Sequence, residues 1–511
     1  MLAKVYSSSL LGIDAYTVEV EVDLARGLPR FNIVGLPDVA VKEARERVTS
    51  AIKNSQFDFP VRKITVNLAP ADIKKEGSSL DLPIALGILK ATGALKKDKF
   101  PNYSILGELA LDGSVRRING ALPIALKVKE EGGRTLILPE ANAREAAVVR
   151  EIDVFPVKSL TQAVQFLGGE ISLSPYRCDL EEVLGEVLSY EVDFSEVKGQ
   201  EYVKRALEIA AAGSHNILMI GPPGAGKTML ARRLPTILPD LTLEEAIETT
   251  KLYSVAGLLG INQPLIGRRP FRSPHHTVSE AGLVGGGRIP RPGEISLSHN
   301  GVLFLDELSE FPRHVLESLR QPLEDGVITV SRALTSVTYP ACFMLVGAMN
   351  PCPCGYFGDA RRECSCTPLE IQKHLNKISG PLLDRIDMHI QVAALRKDDL
   401  LGKGVGESSC KIRKRVNEAR KIQLKRFQGA HLFSNAQMSH RDIEKFSLPQ
   451  PEAKQLLRSA ISELGLSARA YHRVLKISRT IADLEKEEKV LTSHISEALQ
   501  YRCLDRELWR R

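Results

Sequence analysis

The sequence predicts a multidomain α/β and α+β protein: a mixed N-terminal domain, a nucleotide-binding α/β core and a helical C-terminal region. Three observations carry that prediction. The run GPPGAGKT, Gly221–Thr228, lies between an apolar strand pattern and a helix pattern. A second apolar run, GVLFLDEL, ends in two acids, Asp306 and Glu307. Mixed strand and helix periodicity before Val392 gives way to almost wholly helical periodicity after it.

The 511 residues suffice for about three domains at the usual domain length. With 43% hydrophobic and 26% charged residues the composition is globular, and no apolar run approaches the roughly 18 residues that a membrane helix needs. The N-terminus carries a single lysine before Asp14 interrupts it, which argues against a signal peptide and for a cytoplasmic protein without a membrane partner. Cys178, Cys342, Cys410 and Cys503 are scattered singly, as reduced thiols of a cytosolic chain are. A net charge of +7 permits a nucleic-acid partner without requiring one.

In the N-terminal region Val18, Val20 and Val22 alternate with charged residues, a half-buried strand pattern, and FNIVGL follows after Gly27 and Pro29. Asp38 is placed to cap a helix running to Asn54, and KITVNLAP returns to a strand. Asp112-Gly113 supplies the positive φ angles of a tight hairpin turn in LGELALDGSVRRI. From GGEISL to Asp193 the pattern loosens and acids accumulate, as in a linker. The expected boundaries are residues 1–170, a linker at 171–192, a core at 193–394 and a helical region at 395–511.

Gly221, Pro222, Pro223, Gly224, Ala225, Gly226, Lys227 and Thr228 match the phosphate-binding pattern G-x-x-x-x-G-K-[ST]. Glycines let backbone N–H groups turn inward onto phosphate oxygens, and the following helix N-terminus adds a favourable dipole. Lys227 is expected at the β and γ phosphates of ATP or GTP, and the Thr228 hydroxyl at Mg²⁺. Asp306 would hold the Mg²⁺ shell and Glu307 would polarise the attacking water. Alone, acids at a strand end are common caps; beside the glycine loop they complete a hydrolytic site. A third strand, CFMLVGAMN, ends in Asn350, which either holds that water or merely makes a turn.

Cys352, Cys354, Cys364 and Cys366 form C-x-C-x9-C-x-C in a segment, 350–367, inserted directly after that strand. Four thiolates there can close a tetrahedral Zn²⁺ shell of the structural kind, with no open position for water; four reduced thiols or a transient disulfide are the alternatives.

The runs RSPHHTVSEAGLVGGGRIPRPGEISLSHNGVLFLDELSEF, LRQPLEDG, NPCPCG, SGPLLDRIDMHI and ARAYHRVLKISRTIADLE resemble the magnesium-chelatase-like branch of the AAA+ ATPases, and within it the YifB/ComM family. The resemblance extends over essentially the whole chain. It implies an AAA+ core with a C-terminal helical lid, a hexameric homo-oligomeric ring with ATP sites between subunits, and branch migration or helicase activity on single-stranded or branched DNA, in recombination or natural transformation. By position it makes Asn350 sensor 1, Arg385 in LLDRID the arginine finger reaching a neighbouring subunit, and Arg469 sensor 2, with Arg473 its rival. A planar guanidinium suits developing γ-phosphoryl charge, whereas the plainer reading pairs Arg385 with Asp384 or Asp387.

ITVNLAPADIKKEGSSLDLPIALGIL and ILGELALDGSVRRINGALPIAL resemble the proteolytic domain of the Lon family, with its ribosomal S5 domain 2-like fold. Ser79 falls on the catalytic Ser position, but the Lys position falls on Leu122, which cannot act as a base. Lys74, Lys75 and Lys127 lie off the motif, and Ser79 then reads as a helix N-terminal residue.

DNA contacts are expected, by the same resemblance, from two segments facing a pore: Arg268, Arg269 and Arg272, with Arg288, Arg291, His275 and His276, in one, and Arg332 on the hairpin DGVITVSRALTSVTYP in the other. Several of these arginines have the alternative of pairing with acids. KIRKRVNEARKIQLKRF, Lys411–Phe427, is a basic helix that either meets DNA or is a solvated face. His275-His276 on a strand would point to opposite faces, so no second metal is expected. The expected function is an ATP-driven DNA motor; a chelatase-type ATPase acting on a protein partner and a Lon-like protease are the rivals.

Overall fold

The computed structural model describes residues 1–95, 103–133, 135–179, 190–260, 263–287, 290–332, 335–359, 361–394, 406–430, 432–464 and 466–502. The chain divides into two compact units: Met1–Val187 with Leu243–Gly267, and Leu188–Thr242 with Arg268–Arg511. The linker expected at 171–192 lies in part, at 180–189, outside the described residues.

The first unit is built on a seven-stranded mixed sheet. Its centre is the long antiparallel pair Leu2–Leu11 and Asp14–Ala25, in register from Leu2 opposite Asp23 to Leu11 opposite Asp14. Val18, Val20 and Val22 are fully buried while Glu19 and Glu21 face outward, so the period-2 alternation seen in the sequence decides which face meets the core. Asp38 caps the Val39–Asn54 helix, its carboxylate accepting the Val41 N–H at 2.8 Å. Gly113, at φ +85°, turns the small hairpin Glu108–Leu109 and Val115–Arg116, but Asp112 does not share the positive φ expected of the pair. Leu243–Ala256, from the middle of the expected core, belongs to this unit. Lys251 pairs with Asp14 at 3.0 Å, Ser254 donates to Glu145, and Arg117 donates to the Leu259 carbonyl at 2.7 Å.

The second unit holds a five-stranded parallel sheet in the order Phe271–Arg272, Val302–Leu305, Met344–Met349, Ile217–Ile220, Met388–Gln391. The middle three strands are buried along their whole length, as their unbroken apolar runs require of a sheet covered on both faces. Ile220 lies opposite Met349 and Leu305 opposite Gly347, so the segments following three distant strands emerge side by side at the carboxyl edge. Helices Ser409–Arg426, Pro451–Leu464, Ala468–Leu484 and Thr492–Gln500 follow, and their apolar faces share one core with the Glu201–Gly213 helix and the parallel sheet. No helix of the described residues is long and apolar enough to cross a membrane.

Candidate functional site

The glycine loop fills the gap between the Ile217–Ile220 strand and the Lys227–Arg233 helix. Gly224 and Gly226 hold φ of +75° and +88°, the left-handed region where a Cβ is penalised. A Cβ on Gly221 would stand 2.1 Å from the Val392 carbonyl oxygen, so this position needs glycine for close approach. Gln200 ties the loop from behind, its amide donating to the Ala225 and Ala393 carbonyls at 2.9 and 3.0 Å.

Lys227 is folded back on its own loop, donating to the carbonyls of Gly221 (2.7 Å) and Pro222 (2.9 Å) and to Asn350 Oδ1 (3.1 Å). Burial draws its pKa below the ordinary lysine value, and Asp306 opposes that shift. The Thr228 hydroxyl donates to Asp306 Oδ2 at 2.7 Å, which brings together two oxygens suited to a Mg²⁺ shell. Lys227, Asp306, Glu307 and Asn350 line one cavity of about 230 Å³, with Ser309 and Glu310. Glu307, at φ +52°, has its side chain 60% exposed, and His276 Nδ1 stands 3.4 Å from it. With a nucleotide and Mg²⁺ bound, this arrangement has a cation for the phosphates, oxygens for the metal and an exposed carboxylate for water.

Arg385, Arg469 and Arg473 do not enter that cavity. They line another, of about 200 Å³, with Glu324, His440, His472 and Lys476. Arg385 pairs with Glu324, not with Asp384 or Asp387, and also donates to the Pro381 carbonyl at 2.8 Å. Arg473 pairs with Asp387 and donates to the Asp384 carbonyl at 2.7 Å, bracing the turn that carries Arg385. Arg469 is mostly exposed and stands 3.7 Å from Asp384. Burial pulls the Arg473 pKa down to about 10, and burial with the neighbouring Arg473 charge pulls Lys476 down to about 8.

The four cysteine sulfurs lie within 4.8 Å of one another. Cys352 Sγ is 3.3 Å from Cys354 Sγ and 3.6 Å from Cys364 Sγ, and Cys354 Sγ is 3.5 Å from Cys364 Sγ. A tetrahedral Zn–S shell at 2.3 Å has edges of about 3.8 Å, so this donor set fits Zn²⁺. The Cys354 N–H points at Cys366 Sγ (3.3 Å) and the Phe357 N–H at Cys352 Sγ (3.4 Å), contacts that favour thiolates. It is the one such metal-ligand group among the described residues. The His275 and His276 rings do not point apart as a strand would make them: they lie beyond the Phe271–Arg272 strand and pack with centroids 4.0 Å apart.

Most arginines expected at DNA are engaged inside the chain. Arg268 lies over the Tyr190 ring at 4.9 Å, Arg269 donates to the carbonyls of Pro239, Asn300 and Asp240, and Arg272 grips Glu294 through two bonds of 2.6 Å. Their contacts add to the sheet pairing with Val302–Leu303 and the stacking of Phe271 on Phe304 that hold this two-residue strand. Arg332 sits opposite Thr335 at the end of the Val327–Arg332 and Thr335–Pro340 hairpin, its side chain outside the described residues, as is Arg288; Arg291 is exposed. In the basic helix Arg415 binds Glu208 and Glu407, Arg420 caps the Ala212 and Phe433 carbonyls, and Arg426 binds Asp483. Lys411, Lys414, Lys421 and Lys425 stay exposed and, at about 100° per residue, share one face.

In the first unit Leu122 is fully buried, its N–H donating to Glu145 at 2.9 Å. Ser79 is not the cap of the following helix, which starts at Asp81 behind Leu80; the Ser79 carbonyl instead accepts the Gly107 N–H at 2.9 Å. Lys74 pairs with Glu76, Lys127 with Glu131, and buried Lys75 donates to the Ile73 carbonyl.

Sequence reasoning singled out His276 but not its place beside Glu307, and it missed Glu324, Gln200 and His374, whose Nε2 lies 3.1 Å from the Asn350 carbonyl. Each acts across the fold, and nothing in its own neighbourhood of sequence marks it.

Family models for magnesium chelatase subunit ChlI match residues 20–142 and 193–400, and the model for the C-terminal part of that subunit matches 406–502. The chain is 45% identical over 508 residues to competence protein ComM of Haemophilus influenzae, covering 99% of this chain and 98% of that one. This chain belongs to the YifB/ComM family. Escherichia coli YifB is 44% identical over 508 residues, again 99% of this chain and 98% of the other. The chloroplastic magnesium-chelatase subunit ChlI of Oryza sativa subsp. indica is 25% identical over 237 residues, 42% of this chain and 52% of its own length. The YifB/ComM chain is thus magnesium-chelatase-like, and its mixed α/β architecture with a parallel sheet fits that family's AAA+ fold.

Proposed function

We propose that this chain is an ATPase that works on DNA as a homo-oligomeric, hexameric ring, hydrolysing ATP with Mg²⁺ to migrate branches or unwind strands in recombination or natural transformation. The observation that supports this best is the cavity joining Lys227, Asp306, Glu307 and Asn350, in a chain alike from end to end to a competence protein. Lys227 moves from its own carbonyls to the β and γ phosphates, Asp306 and Thr228 hold Mg²⁺, and Glu307 directs water at the γ-phosphate. Arg385 acts on a neighbouring subunit's nucleotide, in keeping with its place outside the chain's own cavity. Arg469 is the sensor that reads the nucleotide, since Arg473 is committed to Asp387. Cys352, Cys354, Cys364 and Cys366 hold a structural Zn²⁺.

The first unit retains a Lon-like fold without peptidase chemistry, and the C-terminal helices serve as the AAA+ lid. DNA phosphates meet the hairpin at Arg332, exposed Arg291, and the lysine face of the Ser409–Arg426 helix, while Arg268, Arg269 and Arg272 stay with their partners inside the chain. ATP-dependent displacement of a labelled strand from a three-strand junction tests the reading; it should vanish in Lys227→Ala. Likeness to a chelatase subunit favours a second reading, a motor that remodels a protein partner, and a DNA-independent ATPase would fit that one.

A further inference from the structure

The cysteine cluster lies against the glycine loop. A Cβ on Gly355, between the two cysteine pairs, would stand 2.6 Å from Pro223 Cδ and 2.8 Å from Cγ, so the Gly355 backbone packs directly on the phosphate-binding loop. Gly355 also holds φ +87°, a conformation that other residues adopt at a cost. Two residues before Cys352, Asn350 accepts from Lys227 at 3.1 Å. At the other side of the loop, Arg361 donates to the Ala394 carbonyl at 3.4 Å, in the segment whose Val392 carbonyl presses on Gly221. The glycine loop is therefore flanked on two sides by structure that the cysteine segment touches.

Between Met349 and Pro368 the described residues form no helix or strand. Nothing periodic fixes this segment, so its shape depends on what cross-links it, and a metal closing a short loop supplies that constraint. Cys352, fully buried, anchors one end of the cross-link, and the capping box of Thr367 and Glu370 fixes the chain immediately beyond Cys366.

We propose that the metal-closed cysteine loop is a wall of the nucleotide site, and that its Zn²⁺ sets nucleotide affinity by pressing Gly355 on Pro223 and holding Asn350 at Lys227. The inference rests on reading the cluster as a zinc site. The ion itself takes no part in hydrolysis, because four protein ligands leave it no open position. Loss of the ion frees the loop, the wall withdraws, and the glycine loop loses the neighbour that keeps its N–H groups aimed at phosphate.

The test uses full-length protein purified without added zinc, its metal content measured alongside binding of the fluorescent probe N-methylanthraniloyl-ADP. The parent should carry about one zinc per chain. Cys364→Ser with Cys366→Ser should lose the zinc and at least tenfold in ADP affinity. Because that double variant also risks misfolding, Gly355→Ala is the second arm. It leaves the four thiols in place, should keep the zinc, and should weaken ADP binding at least tenfold by displacing Pro223. Folded Gly355→Ala with full zinc and parental ADP affinity would overturn the wall, and so would a folded, zinc-free double variant that binds ADP as the parent does. Absence of zinc from the parent would instead overturn the zinc reading on which the inference stands.

Discussion

Arg385 is ion-paired with Glu324 within the single chain, and its side chain is only 14% exposed. A finger that acts on a neighbour's nucleotide must leave this partner first. Glu324 lies one turn before the Val327–Arg332 strand of the hairpin read as a DNA-contacting element, so the same short segment joins finger and hairpin.

Glu324→Gln is predicted to raise ATP turnover in the assembled protein, by no more than about fivefold, since a pair whose carboxylate is exposed to water, as that of Glu324 is, holds by at most about 1 kcal/mol. Arg385→Ala should lower turnover by about 10³ while leaving nucleotide affinity near the parental value. Steady-state kinetics with separate kcat and KM check both, and a fall in turnover for Glu324→Gln would refute the holding role.

The two halves of the phosphate site should separate by substitution. Lys227→Ala removes the buried cation and is expected to abolish nucleotide binding. Glu307→Gln keeps the cavity and should bind ATP normally while hydrolysing it about 10²-fold more slowly. Equilibrium binding and single-turnover hydrolysis measure these; parental hydrolysis in both variants would place the site elsewhere.

Arg473 and Arg469 should differ in kind. Asp387 is buried, and beyond the Asn216 N–H at 3.0 Å its charge is balanced by Arg473, so Arg473→Ala leaves a buried carboxylate without its cation and is expected to cost about 3–5 kcal/mol of stability. Arg469, 58% exposed, should be replaced by Ala with little effect on unfolding. Chemical denaturation of the two variants distinguishes them.

His215 makes the second unit sensitive to acid. It is fully buried with Nε2 2.8 Å from Thr480 Oγ1, and burial, with the charges of Lys476, Arg473 and Arg420, holds its pKa down to about 3. The unfolded chain takes up that proton below its ordinary value of 6.5 and the folded chain does not, so stability present above pH 6.5 is lost as pH falls toward 3. At pH 5 the loss is about 2 kcal/mol. Calorimetry from pH 7 to 5 should show a falling midpoint, with a shallower fall in His215→Gln.

Local pattern made much of the fold legible. The Asp38 cap, the Val18–Val22 alternation, the Gly113 hairpin and the glycine loop all depend on neighbours within a few residues, where sequence and geometry are tightly linked. The union of Lys227, Asp306 and Asn350 was legible because motif spacing encodes which strands end at the same edge. What escaped the sequence depends on partners far along the chain. Nothing near Arg269 or Arg272 distinguishes a guanidinium that caps carbonyls or grips Glu294 from one that meets phosphate. The attachment of Leu243–Gly267 to the first unit likewise rests on Lys251, Ser254 and Leu259 finding Asp14, Glu145 and Arg117. Glu324 was unmarked because its meaning lies wholly in Arg385, which follows in the chain beyond the cysteine segment.

The most direct test of the central claim is steady-state ATPase activity at fixed moderate salt, with no DNA, single strands, duplex and a three-strand branched junction, because phosphate contacts weaken with ionic strength. Stimulation by single-stranded or branched DNA, absent in Lys227→Ala, is the predicted result. An ATPase rate from assembled rings that is the same with every DNA as with none would contradict the DNA motor.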